Sequence, residues 1–360
     1  MKNLLILFGG QSSEHVVSRI STASVFPNID RDEFNVSVVG ITKKGEWFLT
    51  NAEPEEIASG AWETREDNLP AFLSPNRMFG GLQVLEDGKL SVRPVDCVFP
   101  IMHGEMCEDG ALQGLLEMCG IPYVGPNISA SACSMDKAIT KLVAATAGVR
   151  QAKYSIVTAD DIEKDIDAAA AAVEENFAGK YPFFVKPASA GSSVGVSKAH
   201  DNAELKQALL TAVAVCSKVL VEETIVGREV EVAVLGNADA KASVVGEVLS
   251  ANDFYDYEAK YENAASRTVI PAEITEEESE KLRDAAVRIY KALGCEVLSR
   301  VDFFLLKDGD IVFNEINTLP GFTSISMYPK LWEAAGIPYR ELLTKLCDYA
   351  IARGCQAPLK

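Results

Sequence analysis

Two carboxylates and an amide near the end of the chain stand where they could hold a divalent cation. Residues 299–317 read as a β-hairpin in which Arg300 and Asp302 approach Asp308-Gly309, a pair that favours a two-residue type I′ turn. The chain then returns through Asn314, Glu315 and Asn317. A two-residue turn sets Asp302 opposite Glu315 and Arg300 opposite Asn317. Because strand side chains alternate, all four share one face. Facing carboxylates repel unless a cation lies between them. A solvated face with one salt bridge is the competing reading, but Val, Phe, Leu and Ile neighbours bury the ribbon. An all-oxygen cluster with no His or Cys beside it suits Mg²⁺ and argues against zinc.

Magnesium in such a site usually carries nucleotide phosphates, and cations to match are present. Lys186 ends an apolar strand, where a lone ammonium is costly unless it meets an anion. The Gly/Ser loop 190–195 follows, and its backbone N–H groups could close on phosphates. It lacks the Gly-Lys-Ser/Thr of a Walker A loop and would be an ordinary loop if it stood alone. Lys137 lies near a helix start. Glu222 and Glu223 end another strand, where they could accept from an adenine amine or ribose hydroxyls, or simply face solvent. Near the N-terminus, Glu14 follows Gly9-Gly10 at the carboxyl edge of a strand, where ligands of parallel sheets bind. It could equally compensate a helix dipole. His103 sits at a similar strand end, as ligand or as structural histidine. No GxGxxG is present, which disfavours a dinucleotide-binding dehydrogenase.

The elements that must position these groups alternate strand and helix over the first third. Strands are expected at 4–8, 34–41 and 96–102. A helix after Ser12 or Ser13 would bury Val16, Ile20 and Ala23. A second helix at 111–118 stops at Gly120, and a short strand follows at 121–124. Such alternation predicts a parallel, doubly wound sheet. Residues 50–93 read as irregular apart from a hairpin at Asp87-Gly88. Further on, Ser134 caps a helix to about 147, strands cover 181–186 and 219–223, and a helix covers 201–215. Antiparallel strands at 229–235 and 243–249 lead into a polar, aromatic loop over 250–268, suited to closing over a site. A last helix covers 276–293.

With 34 Lys and Arg against 52 Asp and Glu, the net charge of −18 argues against nucleic acid or an anionic membrane as partner. The eight cysteines form no CxxC pair and read as reduced, buried thiols of a cytoplasmic protein. The N-terminal apolar run reads as a strand, not a signal peptide, and no run approaches the roughly 18 residues of a membrane span.

In their order along the chain, these segments resemble the D-alanine–D-alanine ligase branch of the ATP-grasp superfamily. The matching stretches are FGGQSSEHVVS (8–18), HGEMCEDG (103–110), GIPYVG (120–125), SMDK (134–137), VKPASAGSSVGVSK (185–198), DFYDYEAKY (253–261), SRVDFF (299–304) and NEINTLPGFTSISMYPKLW (314–332). The likeness runs nearly end to end. Cys107 stands where the family usually has Gly, which changes a turn but removes no functional group.

The resemblance implies a three-domain α/β and α+β architecture. Its parts are an N-terminal substrate-binding domain (1–125), a central ATP-grasp subdomain (126–221) and a C-terminal one (222–360) carrying the metal hairpin and lid. It implies ATP with Lys137, Lys186 and Ser193 at the phosphates, Glu222, Glu223 and Glu229 at base and ribose, and Phe254 near adenine. Lys260 would reach the γ-phosphate on closure of the lid. Asp302, Glu315 and Asn317 would bind two Mg²⁺ ions, with Mn²⁺ as a substitute. Glu14 would pair with the ammonium of the first D-alanine, linked to Ser192 and Tyr261, and His103 would lie near its carboxylate. Arg300 and the Gly321 amide would stabilise oxyanions, while Ser326 and Met327 receive the second carboxylate. Tyr261 resembles enzymes that use D-alanine as second substrate, with D-serine or D-lactate the poorer fits. A homodimer is implied as well. Another ATP-grasp ligase would share Lys186 and the hairpin but not the 8–18 and 256–261 stretches. A decayed, non-catalytic relative would lack one of Arg300, Asp302, Glu315 or Asn317, and all four are present.

Overall fold

The computed structural model describes residues 1–191, 194–249 and 267–355, and three sheets follow one another along the chain. The apolar run after Met1 forms β1 (Lys2–Gly9); α1 (His15–Val25), β2 (Phe34–Ile41) and β3 (Trp47–Leu49) follow. Next come α2 (Pro54–Ser59), β4 (Leu69–Leu73), β5 (Leu82–Glu86), β6 (Lys89–Arg93) and β7 (Cys97–Ile101). They form one sheet in the order β6-β5-β4-β3-β2-β1-β7, parallel across β2-β1-β7 and antiparallel elsewhere. The antiparallel flank occupies the stretch expected to be irregular. Asp87 and Gly88 do turn a hairpin there, both with the positive φ (48° and 71°) that a type I′ turn demands. The expected strand at 121–124 shrinks to a single bridge between Val98 and Tyr123.

Helix α1 turns its polar side inward, against the periodicity. Val16 and Ile20 are exposed, and the buried residues are His15, Val17, Ser18, Ser21, Thr22 and Val25. The strand ends beneath the helix have unpaired backbone groups to satisfy, and serines do so. Ser18 Oγ accepts from Gly9 N–H and donates to Ile101 O, and Ser12 Oγ donates to His103 O. Neither Ser12 nor Ser13 caps the helix; Glu14 occupies the N-cap position without a side-chain cap.

Helix α3 (Ala111–Cys119) ends on Gly120 in the left-handed region. The single helix expected from Ser134 is in fact two, α4 (Ile128–Met135) and α5 (Lys137–Ala144). Asp136 breaks it. Its backbone is extended, and its carboxylate accepts from the N–H groups of Ala138 and Ile139 as the cap of α5.

The second sheet contains β8 (Tyr154–Thr158), β9 (Phe183–Pro187), β10 (Ser197–Ala199) and β11 (Lys218–Glu223), antiparallel in the order β10-β9-β11-β8. Helices α6 (Ala159–Phe177) and α7 (Asn202–Val213) cover it over a core that includes Phe177, Phe183, Leu205 and Val221. The third sheet is built from β12 (Arg228–Gly236), β13 (Lys241–Leu249), β14 (Arg267–Val269), β15 (Val297–Leu305) and β16 (Ile311–Asn317). Its order is β14-β13-β12-β15-β16, and α8 (Glu276–Ala292) packs on it. Helices α9 (Met327–Ala334) and α10 (Tyr339–Arg353) complete the described chain. The last of these returns to the first sheet, where Leu342, Leu343 and Leu346 share a core with Leu4 and Phe34. No described helix is long and apolar enough to cross a membrane.

The metal hairpin keeps the expected pairing through two compensating departures. Its turn holds three residues, with Leu306 N–H donating to Asp310 O and Gly309 at φ 78°. This brings Phe313 opposite Phe303, and an extra residue at Asn314 then returns Glu315 to Asp302 and Asn317 to Arg300. Such bulges bend a strand and re-aim its side chains beside functional sites.

Candidate active site

A cleft of about 680 Å³ opens where the three sheets meet. Every described site residue singled out above lines it. The first sheet contributes Glu14 and His103, and the α5 and β9–β11 region contributes Lys137, Lys186, Glu222 and Glu223. The third sheet and the segment after it contribute Glu229, Arg300, Asp302, Glu315, Asn317, Gly321, Ser326 and Met327. Ser192, Ser193, Phe254, Lys260 and Tyr261, with most of the 250–268 loop, lie outside the described residues.

On the hairpin face, Arg300 grips Asp302 with two parallel bonds, Nε to Oδ1 at 2.8 Å and Nη2 to Oδ2 at 2.7 Å. Its Nε also lies 3.0 Å from Glu231, which β12 sets opposite Asp302. Burial alone would lower the guanidinium pKa, but Asp302 and Glu231 outweigh it and hold the group well above its ordinary value. Asn317 donates its amide N–H to Asp302 Oδ2 at 3.0 Å, which leaves the amide oxygen for a cation. The described residues contain no group of three or more acids, His or Cys suited to a metal; the donors here are two carboxylates and one amide oxygen. Such a hard, all-oxygen set fits Mg²⁺.

The cations facing this hairpin come from two elements. Lys137 opens α5, donates to Ala190 O at 2.8 Å and lies 3.8 Å from Glu315. Lys186 on β9 is 7% exposed and pairs with Glu222 at 2.5 Å. Glu222, 5% exposed, is also held by Lys141 at 2.5 Å, which removes the solvent-facing alternative for it. Burial would raise its carboxyl pKa, yet the two ammonium groups more than offset that and hold it below the usual value. Burial lowers the Lys141 ammonium, with Glu222 acting in opposition. The residue-type reading missed Lys141, although it stands one helical turn after Lys137. Glu231 was likewise missed, although it lies two residues beyond Glu229 on the same strand face.

At the N-terminal side, Glu14 Oε2 lies so close to Gly104 and Gly191 that a Cβ on either would sit 2.8 Å or 3.0 Å from it. Gly104 also holds a positive φ of 74°, a conformation that favours glycine. Both ring nitrogens of His103 are engaged. Nδ1 is 2.9 Å from Leu319 O, so it carries the proton and donates, while Nε2 faces Ser21 Oγ at 3.3 Å. Glu108, to which the residue-type reading assigned no role, takes the other side of the same residue. Its carboxylate accepts from Leu319 N–H at 3.0 Å and Gly104 N–H at 3.0 Å. Burial and the nearby Glu14 raise its pKa. The 318–322 segment is thereby pinned from the first sheet. In it, Gly321 lies against Ser326, whose Oγ would sit 2.9 Å from an added Cβ. Ser326 is the N-cap residue of α9 but makes no side-chain cap. Its hydroxyl bonds Thr323 instead, and with Met327 it lines the cleft beside the positive end of the helix, a setting for a carboxylate.

Family models for known proteins match both halves of the chain: "D-ala D-ala ligase N-terminus" over residues 3–126 and "D-ala D-ala ligase C-terminus" over 143–348. A D-alanine–D-alanine ligase of Acetivibrio thermocellus is 50% identical over 365 aligned residues, covering 98% of this chain and 96% of that protein. One of Clostridium acetobutylicum is 46% identical and covers 98% of each. Among solved structures, the VanG D-Ala:D-Ser ligase of Enterococcus faecalis superposes with a TM-score of 0.87 at 38% identity, over 97% of this chain and 99% of that one. The D-alanine–D-alanine ligase of Coxiella burnetii gives 0.86 at 33% identity, over 98% and 94%.

Proposed function

The chain belongs to the D-alanine–D-alanine ligase family, and on that premise we propose how its residues carry out the reaction. It is an ATP-dependent carboxylate–amine ligase of ATP-grasp fold that joins two molecules of D-alanine into D-alanyl-D-alanine for peptidoglycan precursors. A carboxylate is a poor electrophile. Transfer of the γ-phosphoryl group of ATP converts that of the first D-alanine to an acyl phosphate and releases ADP. The second D-alanine, once its ammonium has lost a proton, attacks with its amine, and the tetrahedral oxyanion expels phosphate.

In our reading, Glu14 holds the first ammonium and His103 borders that substrate. With its nitrogens bonded to Leu319 and Ser21, the histidine acts by shaping the pocket. Lys137, Lys186 and Ser193 face the phosphates, with Glu222, Glu223, Glu229 and Phe254 at the base and ribose. Asp302, Glu315 and Asn317 would hold two Mg²⁺ ions, or Mn²⁺ in their place, which supply charge neutralisation at the phosphates. Arg300, fixed by Asp302 and Glu231, and the Gly321 N–H face the developing oxyanion. Ser326 and the α9 N-terminus receive the second carboxylate. Ser192, Tyr261 and Lys260 complete the site on closure, which keeps water from the acyl phosphate. We further propose three domains, 1–125, 126–221 and 222–360, with β11 running two residues past the last boundary. A cytoplasmic homodimer completes the proposal.

The observation that carries this reading is the convergence of Arg300, Asp302, Glu315 and Asn317 with Lys137, Lys186, Glu14 and Gly321 on one cleft. It is tested by phosphate release from ATP and Mg²⁺ with D-alanine, L-alanine, D-serine or D-lactate, the products being identified by mass. Release that needs only D-alanine and yields the D,D-dipeptide is expected. A mixed product with D-serine or D-lactate would overturn the choice of second substrate. No turnover with folded protein would overturn the reaction.

A further inference from the structure

Behind the phosphate-facing lysine lies a buried charge that the reaction does not use. Lys141 is 2% exposed and does not line the cleft, yet its Nζ lies 2.5 Å from Glu222 Oε1. Lys186 Nζ lies 2.5 Å from the other oxygen, Glu222 Oε2. Lys186 and Glu222 share one face of the β9–β11 pair, because Lys186 pairs with Leu220 and Glu222 with Phe184. Lys141 reaches the carboxylate from α5, stacked 5.3 Å over the ring of Tyr154, which pairs with Glu222 on the other side. Two ammonium groups thus share one buried carboxylate.

We propose that Lys141 is a positioning residue for nucleotide binding: by holding Glu222 permanently, it frees Lys186 to turn from that carboxylate to the phosphates. A buried carboxylate stripped of its only counter-charge is strongly unfavourable. With Lys186 as sole partner, drawing its ammonium toward a phosphate would strand Glu222, and the closed pair would compete with the nucleotide. Lys141 removes that competition, since Glu222 keeps one cation whichever way Lys186 turns. Helix α5 therefore acts twice, directly through Lys137 at its first turn and indirectly through Lys141 one turn later. The proposal rests on the reading that ATP occupies this cleft, and its test separates the two.

ATP binding with Mg²⁺ is measured by calorimetry on the full chain without D-alanine, for wild type, Lys141→Met, Glu222→Gln and the double variant. Lys141→Met is expected to weaken ATP about tenfold, and the double variant to bind within about twofold of Glu222→Gln alone, the coupling expected of a shared charge network. The KM for D-alanine of Lys141→Met should stay within about twofold of wild type, a split that general loosening of the fold would not give. Wild-type ATP binding by Lys141→Met would overturn the proposal, as would a double variant about tenfold weaker than Glu222→Gln. If Lys141→Met alone does not fold, the comparison of Glu222→Gln with the double variant decides. Wild-type protein that binds ATP but releases no phosphate with D-alanine sinks the proposed reaction and leaves this comparison readable.

Discussion

At the scale of single residues, the site is a set of charges that restrain one another before any substrate arrives. Arg300 is locked by Asp302 and Glu231, and Glu222 by two lysines. Such fixing serves electrostatic catalysis, because Arg300 need not reorient as charge develops. Asp302 stands at the centre, bonded by both Arg300 and Asn317. Replacing it with Asn would remove one of the two opposed carboxylates and unbalance Arg300. We expect Asp302→Asn to lower kcat at least about 100-fold and to raise the Mg²⁺ concentration needed for half-maximal rate, read from a magnesium titration of D-alanine-dependent phosphate release. An Asp302→Asn enzyme with wild-type magnesium dependence would remove Asp302 from the metal site. Most of these residues were legible by type and spacing, since charged groups at apolar strand ends are costly without a partner. Lys141 was not, because a lysine on a helix is usually solvated, whereas here it is buried against Glu222 of β11 and the Tyr154 ring of β8.

At the scale of elements, the hairpin of β15 and β16 is held at both ends. One end carries the site; the other is tied down by Asp310, which accepts from Arg150 at 2.9 Å and from Lys281 of α8 at 3.0 Å. Those bonds depress its carboxyl pKa from 3.8 to about 2. A carboxylate whose folded pKa is depressed adds stability that is present above its unfolded pKa and lost as pH falls through the folded one. The contribution should therefore disappear between about pH 4 and pH 2. Asp310→Asn should flatten the acid limb of the stability profile in that window. The loss at neutral pH should be below about 1 kcal/mol, because exposed pairs are screened. Urea unfolding at a series of pH values checks it; a variant with an unchanged acid limb would show that the tie is not coupled to folding. The pairing of Asp302 with Glu315 was foreseen for a turn of two residues. The true turn has three, and the extra residue at Asn314 restores the register. Alternation fixes which residues share a face, but turn length and bulges depend on the sheet's twist.

At the scale of the whole molecule, the cleft exists because the C-terminal segments fold back on the first sheet. His103 and Glu108 hold Leu319, and α10 packs on β7 and β1. Arg353 closes the arrangement: it donates to Tyr123 O at 2.8 Å and to Gly125 O, and stacks 4.4 Å over the Tyr123 ring. Arg353→Ala would strip bonds from partly buried carbonyls and remove that stacking. We expect a loss of roughly 2–3 kcal/mol, seen as a lower Tm in thermal unfolding, with the metal hairpin intact. A Tm equal to wild type would mean that the apolar core alone holds α10 in place.

The sequence by itself determined the chemistry and the kind of elements that carry it. Residue type limits which groups can bind a hard cation, a phosphate or an ammonium. Periodicity and turn residues marked β1, β2, β12, β13, β15, α7 and α8 with little displacement. Tertiary structure alone decided three things. It turned the serine face of α1 inward, because the strand ends beneath it needed hydrogen-bond partners that Val16 and Ile20 could not supply. It split one helix at Asp136, whose carboxylate both caps α5 and pairs with Lys218 at 2.6 Å. It also brought Lys141 against Glu222. Each depends on partners distant in the chain, and local propensity carries no information about which backbone or charge will lie across a packed interface.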